Sequence, residues 1–105
     1  MNQVVISGKI VGEINSELKN EMKVCRFKLK NMYYIDKNSK QEITIIRCIA
    51  YGALAEYCYN ELYEGANILI TGRVLHRHYI SNNQPIDLMY VGCNTVTKLE
   101  QEEYS

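Results

Sequence analysis

The chain has no tryptophan and a single phenylalanine, so its aromatic surface rests almost wholly on nine tyrosines. No apolar run approaches the ~18 residues that a membrane-crossing helix needs. The opening Met1-Asn2-Gln3-Val4-Val5 lacks the basic stretch and long apolar segment of an export signal. Neither insertion nor export is therefore indicated, and a cytoplasmic location is expected. There is no C-x-x-C pair. Cys25, Cys48, Cys58 and Cys93 lie far apart, each inside an apolar run where a small hydrophobe fits, so they are expected to be reduced core residues. A metal site would require His76 and His78, which alternate onto one strand face, to meet the distant Cys93; no metal and no cofactor is expected. A Gly-rich phosphate loop, a recognisable carboxylate pair, and a Ser or Cys with a nearby His in a known context are all missing, which argues against an enzyme.

Net charge is missing too: 12 Lys and Arg balance 12 Asp and Glu. The distribution is uneven, however. Glu100, Glu102 and Glu103 crowd the end, so residues 1–98 carry all 12 basic residues and a charge of +3. At 105 residues there is room for one core, and a 47% hydrophobic share is enough to fill it.

Period-two alternation marks a first strand over Val4 to Ile10 and a second over Lys23 to Lys30, where Cys25, Phe27 and Leu29 oppose Val24, Arg26, Lys28 and Lys30. The polar run Asp36 to Gln41 reads as the turn of a long hairpin leading to a third strand, Ile43 to Tyr51. In that strand Ile46 and Cys48 are expected inside, with Arg47 and Tyr51 outside. Gly52 breaks the strand. Leu54, Tyr57, Cys58, Glu61 and Leu62 follow helical spacing from Ala53 to Glu64, and Gly65 sits where a C-terminal cap belongs. Ile68, Ile70, Gly72 and Val74 then alternate with Leu69, Thr71, Arg73, Leu75, Arg77 and Tyr79 in a fourth strand, which runs out into Ser81-Asn82-Asn83-Gln84-Pro85. A fifth strand spans Ile86 to about Val96. The order β-β-β-α-β-β is that of an all-β protein with one helix, a five-stranded Greek-key barrel of OB type, with Phe27, Leu29, Ile46, Cys48, Leu54, Ile68 and Ile70 inside. The barrel is expected to fill residues 1–100, leaving 101–105 as a short tail.

From Asn2 to Glu100 the sequence resembles the bacterial single-stranded DNA-binding proteins. Three stretches carry the likeness: Asn2-Gln3-Val4-Val5-Ile6-Ser7-Gly8-Lys9-Ile10, Ile46-Arg47-Cys48-Ile49-Ala50-Tyr51-Gly52 ahead of a helix, and Ile68-Leu69-Ile70-Thr71-Gly72-Arg73-Val74-Leu75-His76-Arg77-His78-Tyr79 after Gly65. The resemblance implies a non-enzymatic dimer or tetramer, joined through the first strand and the outer barrel surface, that coats unpaired DNA in replication, repair or recombination. It places base-stacking aromatics at Tyr34, ahead of the Asp36-Lys37 turn, at Tyr51 and at Tyr79. A fourth stacking position, often tryptophan, is matched by Ile45, and Gln3 replaces a usual basic residue. The family's acidic, aromatic-closed tip, which recruits replication and repair proteins, is not matched by Glu102-Glu103-Tyr104-Ser105.

Those residue types suit the ligand. Unpaired DNA offers phosphates and exposed base faces, so a sequence-tolerant binder needs cations interleaved with flat rings. Lys28 and Lys30 on the second strand, Arg47 beside Tyr51 on the third, and Arg73 and Arg77 beside Tyr79 on the fourth supply both, with Tyr51 and Tyr79 expected to end adjacent strands. Tyr33 and Tyr90 stay open between core and surface. The competing reading is a primosome-type or mobile-element interaction module that binds a replication partner first and DNA weakly, which Ile45, Gln3 and the zero net charge favour.

Overall fold

The computed structural model describes residues 2–34 and 41–99, the side chains of Tyr33 and Tyr34 excepted. Of the expected turn, Asp36 to Gln41, residues 36–40 lie outside the described residues, as does the tail, while Gln41 belongs to a strand. Five strands, β1 (Val4–Lys19), β2 (Met22–Tyr34), β3 (Gln41–Tyr51), β4 (Asn67–Ser81) and β5 (Gln84–Lys98), carry one helix, α1 (Gly52–Glu61), between β3 and β4. They close into a barrel in the order β1-β2-β3-β5-β4. This is the OB-type architecture that the alternation pattern implied.

Closure depends on β1, which is longer than its clean alternation suggests. Val4 to Lys9 pair with β4, and Lys9 to Lys19 pair with β2. The register shifts between Val11 and Asn15, where Gly12 takes a φ of 76° that most side chains resist. A bulge of this kind bends a strand, letting β1 serve two neighbours at once. Beyond the bend it forms a hairpin with β2 through Asn20 and Glu21, both at positive φ. At the other closure β3 and β5 run parallel and pair only at Cys48–Val91 and Ile49–Gly92.

The inner faces supply the core. Ile10, Cys25, Phe27, Leu29, Cys48, Ile68, Ile70 and Val91 are buried, with Ala55, Cys58 and Leu62 of the helix segment beside them. Ile46 and Leu54, expected inside, pack against this cluster while staying partly exposed. The cysteines are free thiols. Burial pushes the Cys25 thiol up to about 11 and that of Cys58 up to about 12, so both stay protonated and act as small hydrophobes.

The helix stops earlier than its spacing suggested. The Leu62 amide donates to the Cys58 carbonyl at 3.0 Å, and Leu62 itself is extended. Gly65 is therefore not the helix cap. It lies in the following loop at a φ of 93°, and its N–H donates to the Ile10 carbonyl at 2.8 Å, tying that loop to β1.

Asn2 extends the β1–β4 pairing by side chain. Its amide nitrogen donates to the Val74 carbonyl at 2.9 Å, and the Val74 amide donates back to its side-chain oxygen at 3.1 Å. The Asn2 amide thus imitates one more rung of strand. Asn2→Ala should cost about 1 kcal/mol, the low end for two exposed hydrogen bonds. Urea unfolding should show the midpoint falling with an unchanged slope.

Candidate nucleic-acid interface

The outer face is organised by register. Lys28 lies directly across from Arg47, Lys30 from Ile45 and Val24 from Tyr51 on the β2–β3 ladder. On the β4–β5 ladder, Arg73 faces Gly92, Leu75 faces Tyr90, Arg77 faces Leu88 and Tyr79 faces Ile86. The parallel rung Ile49–Gly92 joins the two ladders. Stepping two residues back along both strands aligns Arg47 with Tyr90. One row therefore reads Lys28, Arg47, Tyr90, Leu75 across β2, β3, β5 and β4.

Placing Lys28 opposite Arg47 sets like charges on a cross-strand pair, which costs stability unless an anion joins them. None of the ion pairs among the described residues involves Lys28, Lys30, Arg47, Arg73 or Arg77. Arg26 is different: it lies on the same face but is engaged by Glu17 of β1, and that contact holds the Glu17 carboxyl below its ordinary value. Uncompensated cations at strand spacing form a surface suited to phosphates.

The aromatics hold different positions. Tyr51 is 39% and Tyr79 46% exposed. Ile45, at the position often held by tryptophan in the resembled family, is 48% exposed and offers an aliphatic surface in place of a ring. The backbone of Tyr34 pairs with Gln41 at the far end of β2, and its side chain lies outside the described residues. Tyr51 and Tyr79 do not end adjacent strands, because β5 runs between β3 and β4. They are linked instead through Arg77, whose Nη2 donates to the Tyr51 hydroxyl at 3.0 Å. That bond ties the β4–β5 hairpin to the end of β3 and fixes the edge of one ring with a neighbouring cation.

His76 and His78 turn to the opposite face of the hairpin. His78 Nδ1 lies 2.6 Å and His76 Nε2 3.2 Å from Asp87 Oδ1. Chiefly through the hydrogen bond to His78, the Asp87 carboxyl is held below its usual value. Cys93 sits opposite Gly72 instead, and among the described residues no group of three or more His, Cys, Asp or Glu is arranged to hold a metal ion.

Two grooves adjoin Arg47 and Tyr90. One, of about 150 Å³, is bordered by Glu13, Asn15, Arg26, Lys28, Arg47 and Tyr90. The other, of about 340 Å³, lies where β3 and β5 diverge below their short parallel contact, between Ile45 and Ile46 on one lip and Leu88 and Met89 on the other. Arg47 and Tyr90 border both. Tyr90 was not singled out by sequence motif; the two-residue turn at Asn82-Asn83, which sets the hairpin register, was the signal that could have placed it.

A family model described as the single-strand binding protein family matches residues 1–100. Among solved structures, a Plasmodium falciparum SSB in complex with ssDNA is similar in fold, with a TM-score of 0.85 over 95% of this chain and 96% of that one at 20% identity. No curated protein matches the chain. With nearly the whole sequence covered by the family model, the chain belongs to the single-strand binding protein family.

Proposed function

We propose that this protein binds and coats single-stranded DNA without catalysis, in replication, repair or recombination, using Tyr34, Tyr51 and Tyr79 as stacking positions and Lys28, Lys30, Arg47, Arg73 and Arg77 as phosphate contacts. The observation that carries the reading is the outer face of β2, β3 and β4, where these five cations lack carboxylate partners among the described residues and alternate with exposed tyrosines. Family membership supports it, as does a structural neighbour solved with single-stranded DNA.

A dimer or tetramer, joined through β1 and the outer barrel surface, is the assembly in which coating is expected. On β1, Val5 is 62% exposed, an apolar side chain left for a second copy to cover.

The test is a salt titration of binding to an oligo-dT strand. Submicromolar affinity should weaken steeply with salt, with a slope of up to about −3.5 if all five cations contact phosphates, at ~0.7 each. Tighter binding to duplex than to single strand at equal salt would overturn the proposal.

One observation favours the interaction-module reading. Met32, Ile43 and Ile45 are 52%, 51% and 48% exposed, and Met32 lies directly across from Ile43. An apolar patch of this kind fits a protein partner. Weak, salt-insensitive DNA binding would shift the assignment to it.

A further inference from the structure

We propose that Tyr90 is an additional base-stacking platform, placed at the junction of the two grooves so that a single strand passes between Lys28, Arg47 and Tyr90. The inference rests on the single-stranded DNA reading above and extends its contact set to a residue in β5.

Register supplies the first argument. Tyr90 lies opposite Leu75 and, one strand away, level with Arg47, which itself faces Lys28. The sequence of side chains across the sheet is therefore cation, cation, ring, aliphatic. Cations bind the backbone and rings bind the bases of an unpaired strand, so this order matches one nucleotide's two chemistries.

Accessibility supplies the second. Tyr90 is half-buried, and it borders both grooves. Leu75 backs one side of the strand at this level, since its Cδ1 would lie 2.7 Å from a Cβ built on Gly92. The apolar lips formed by Ile45 and Met89 leave the second groove suited to the face or edge of a base.

Charge supplies the third. Lys28 and Arg47 border the first groove, where Arg26 is engaged by Glu17, against the single carboxylate of Glu13. Asp87 borders the second, but its carboxylate is already engaged by His76 and His78. The occupant is therefore anionic and flat-faced, which a DNA strand is and an acidic peptide lacking aromatic groups is not.

The test combines two variants with cross-linking on the unaltered protein. Tyr90→Leu keeps apolar bulk against Leu75 and removes the ring; Tyr90→Phe keeps the ring and removes the hydroxyl. With oligo-dT, Tyr90→Leu should bind about 5- to 150-fold more weakly with an unchanged salt slope, while Tyr90→Phe binds like the original. Irradiation of the unaltered protein with an oligonucleotide carrying 5-iododeoxyuridine should give a cross-link that maps to Tyr90. This measurement needs no variant to fold. If the unaltered protein binds but cross-links map only to other tyrosines, or Tyr90→Leu binds normally, the Tyr90 assignment is overturned and the proposed function stands. If the unaltered protein does not bind single strands at all, both are overturned.

Discussion

Replacing Gly72 with alanine should lower the unfolding free energy by about 3 kcal/mol, the upper part of the range for forcing atoms into a packed site. The reason is local and steric. Gly72 lies in β4 at the register shift that follows Thr71, and a Cβ built there runs into the carbonyl oxygen of Gly92. That atom belongs to backbone and cannot rotate away. Gly92 is also the residue through which β5 meets β3, at the rung with Ile49. Relief of the clash therefore has to move the strand that closes the barrel. A control comes from Gly12→Ala: its added Cβ meets nothing within 4 Å, so the cost comes only from the φ of 76°. Thermal or urea unfolding of both variants should rank Gly72→Ala as clearly the worse. Equal stabilities would mean that the strands at this crossing yield more easily than their geometry suggests.

Tyr79→Ala should weaken oligonucleotide binding by ~1 to 3 kcal/mol, and Tyr79→Phe by little, because a stacked base needs the ring face and not the hydroxyl. Tyr79 is the simpler of the two exposed tyrosines to test. It lies opposite Ile86 near the free end of the hairpin and is 46% exposed, so truncation should leave stability nearly unchanged. Tyr51 behaves differently, since its hydroxyl accepts from Arg77. Tyr51→Phe releases that guanidinium, and Arg77→Ala frees the ring. The salt slope separates the contributions: Tyr79→Ala should not alter it, whereas each lost phosphate contact removes ~0.7. Tyr79→Ala binding with unaltered affinity would make this ring a bystander.

Most of the barrel was legible because period-two alternation is strong where one face is buried. Cys25, Phe27 and Leu29 against Val24, Arg26, Lys28 and Lys30 left no choice of register, and the structure places both sets as expected except for Val24, which is buried. The second half of β1 was not legible. After Val11 the alternation is lost at Gly12, so a bulge and a new hairpin are indistinguishable from a loop until the partner strand is known. Gly65 was misassigned because a glycine just past a helical pattern fits a cap as well as a loop bond to another strand. On the interface, the individual side chains were readable and their neighbours were not. Adjacency of Tyr51 and Tyr79 depends on strand order, and in this barrel the last strand inserts between the third and fourth. Tyr90 could have been placed by counting back from the Asn82-Asn83 turn, which fixes Tyr79 against Ile86, Arg77 against Leu88 and Leu75 against Tyr90.

The contact between β3 and β5 has only two rungs, Cys48–Val91 and Ile49–Gly92, while every other neighbouring pair in the barrel is joined by six or more. It is the place where the cylinder has least to hold it shut, and local opening of a fold starts where the fewest bonds must be broken. Arg47 and Tyr90 stand on either side of it. In the proposed mode, a strand of DNA gripped by both would act as a clasp across the joint, adding its binding free energy to the closed form. Occupancy and structural integrity are then thermodynamically linked, so the protein's resistance to unfolding rises with the logarithm of free ligand over its dissociation constant.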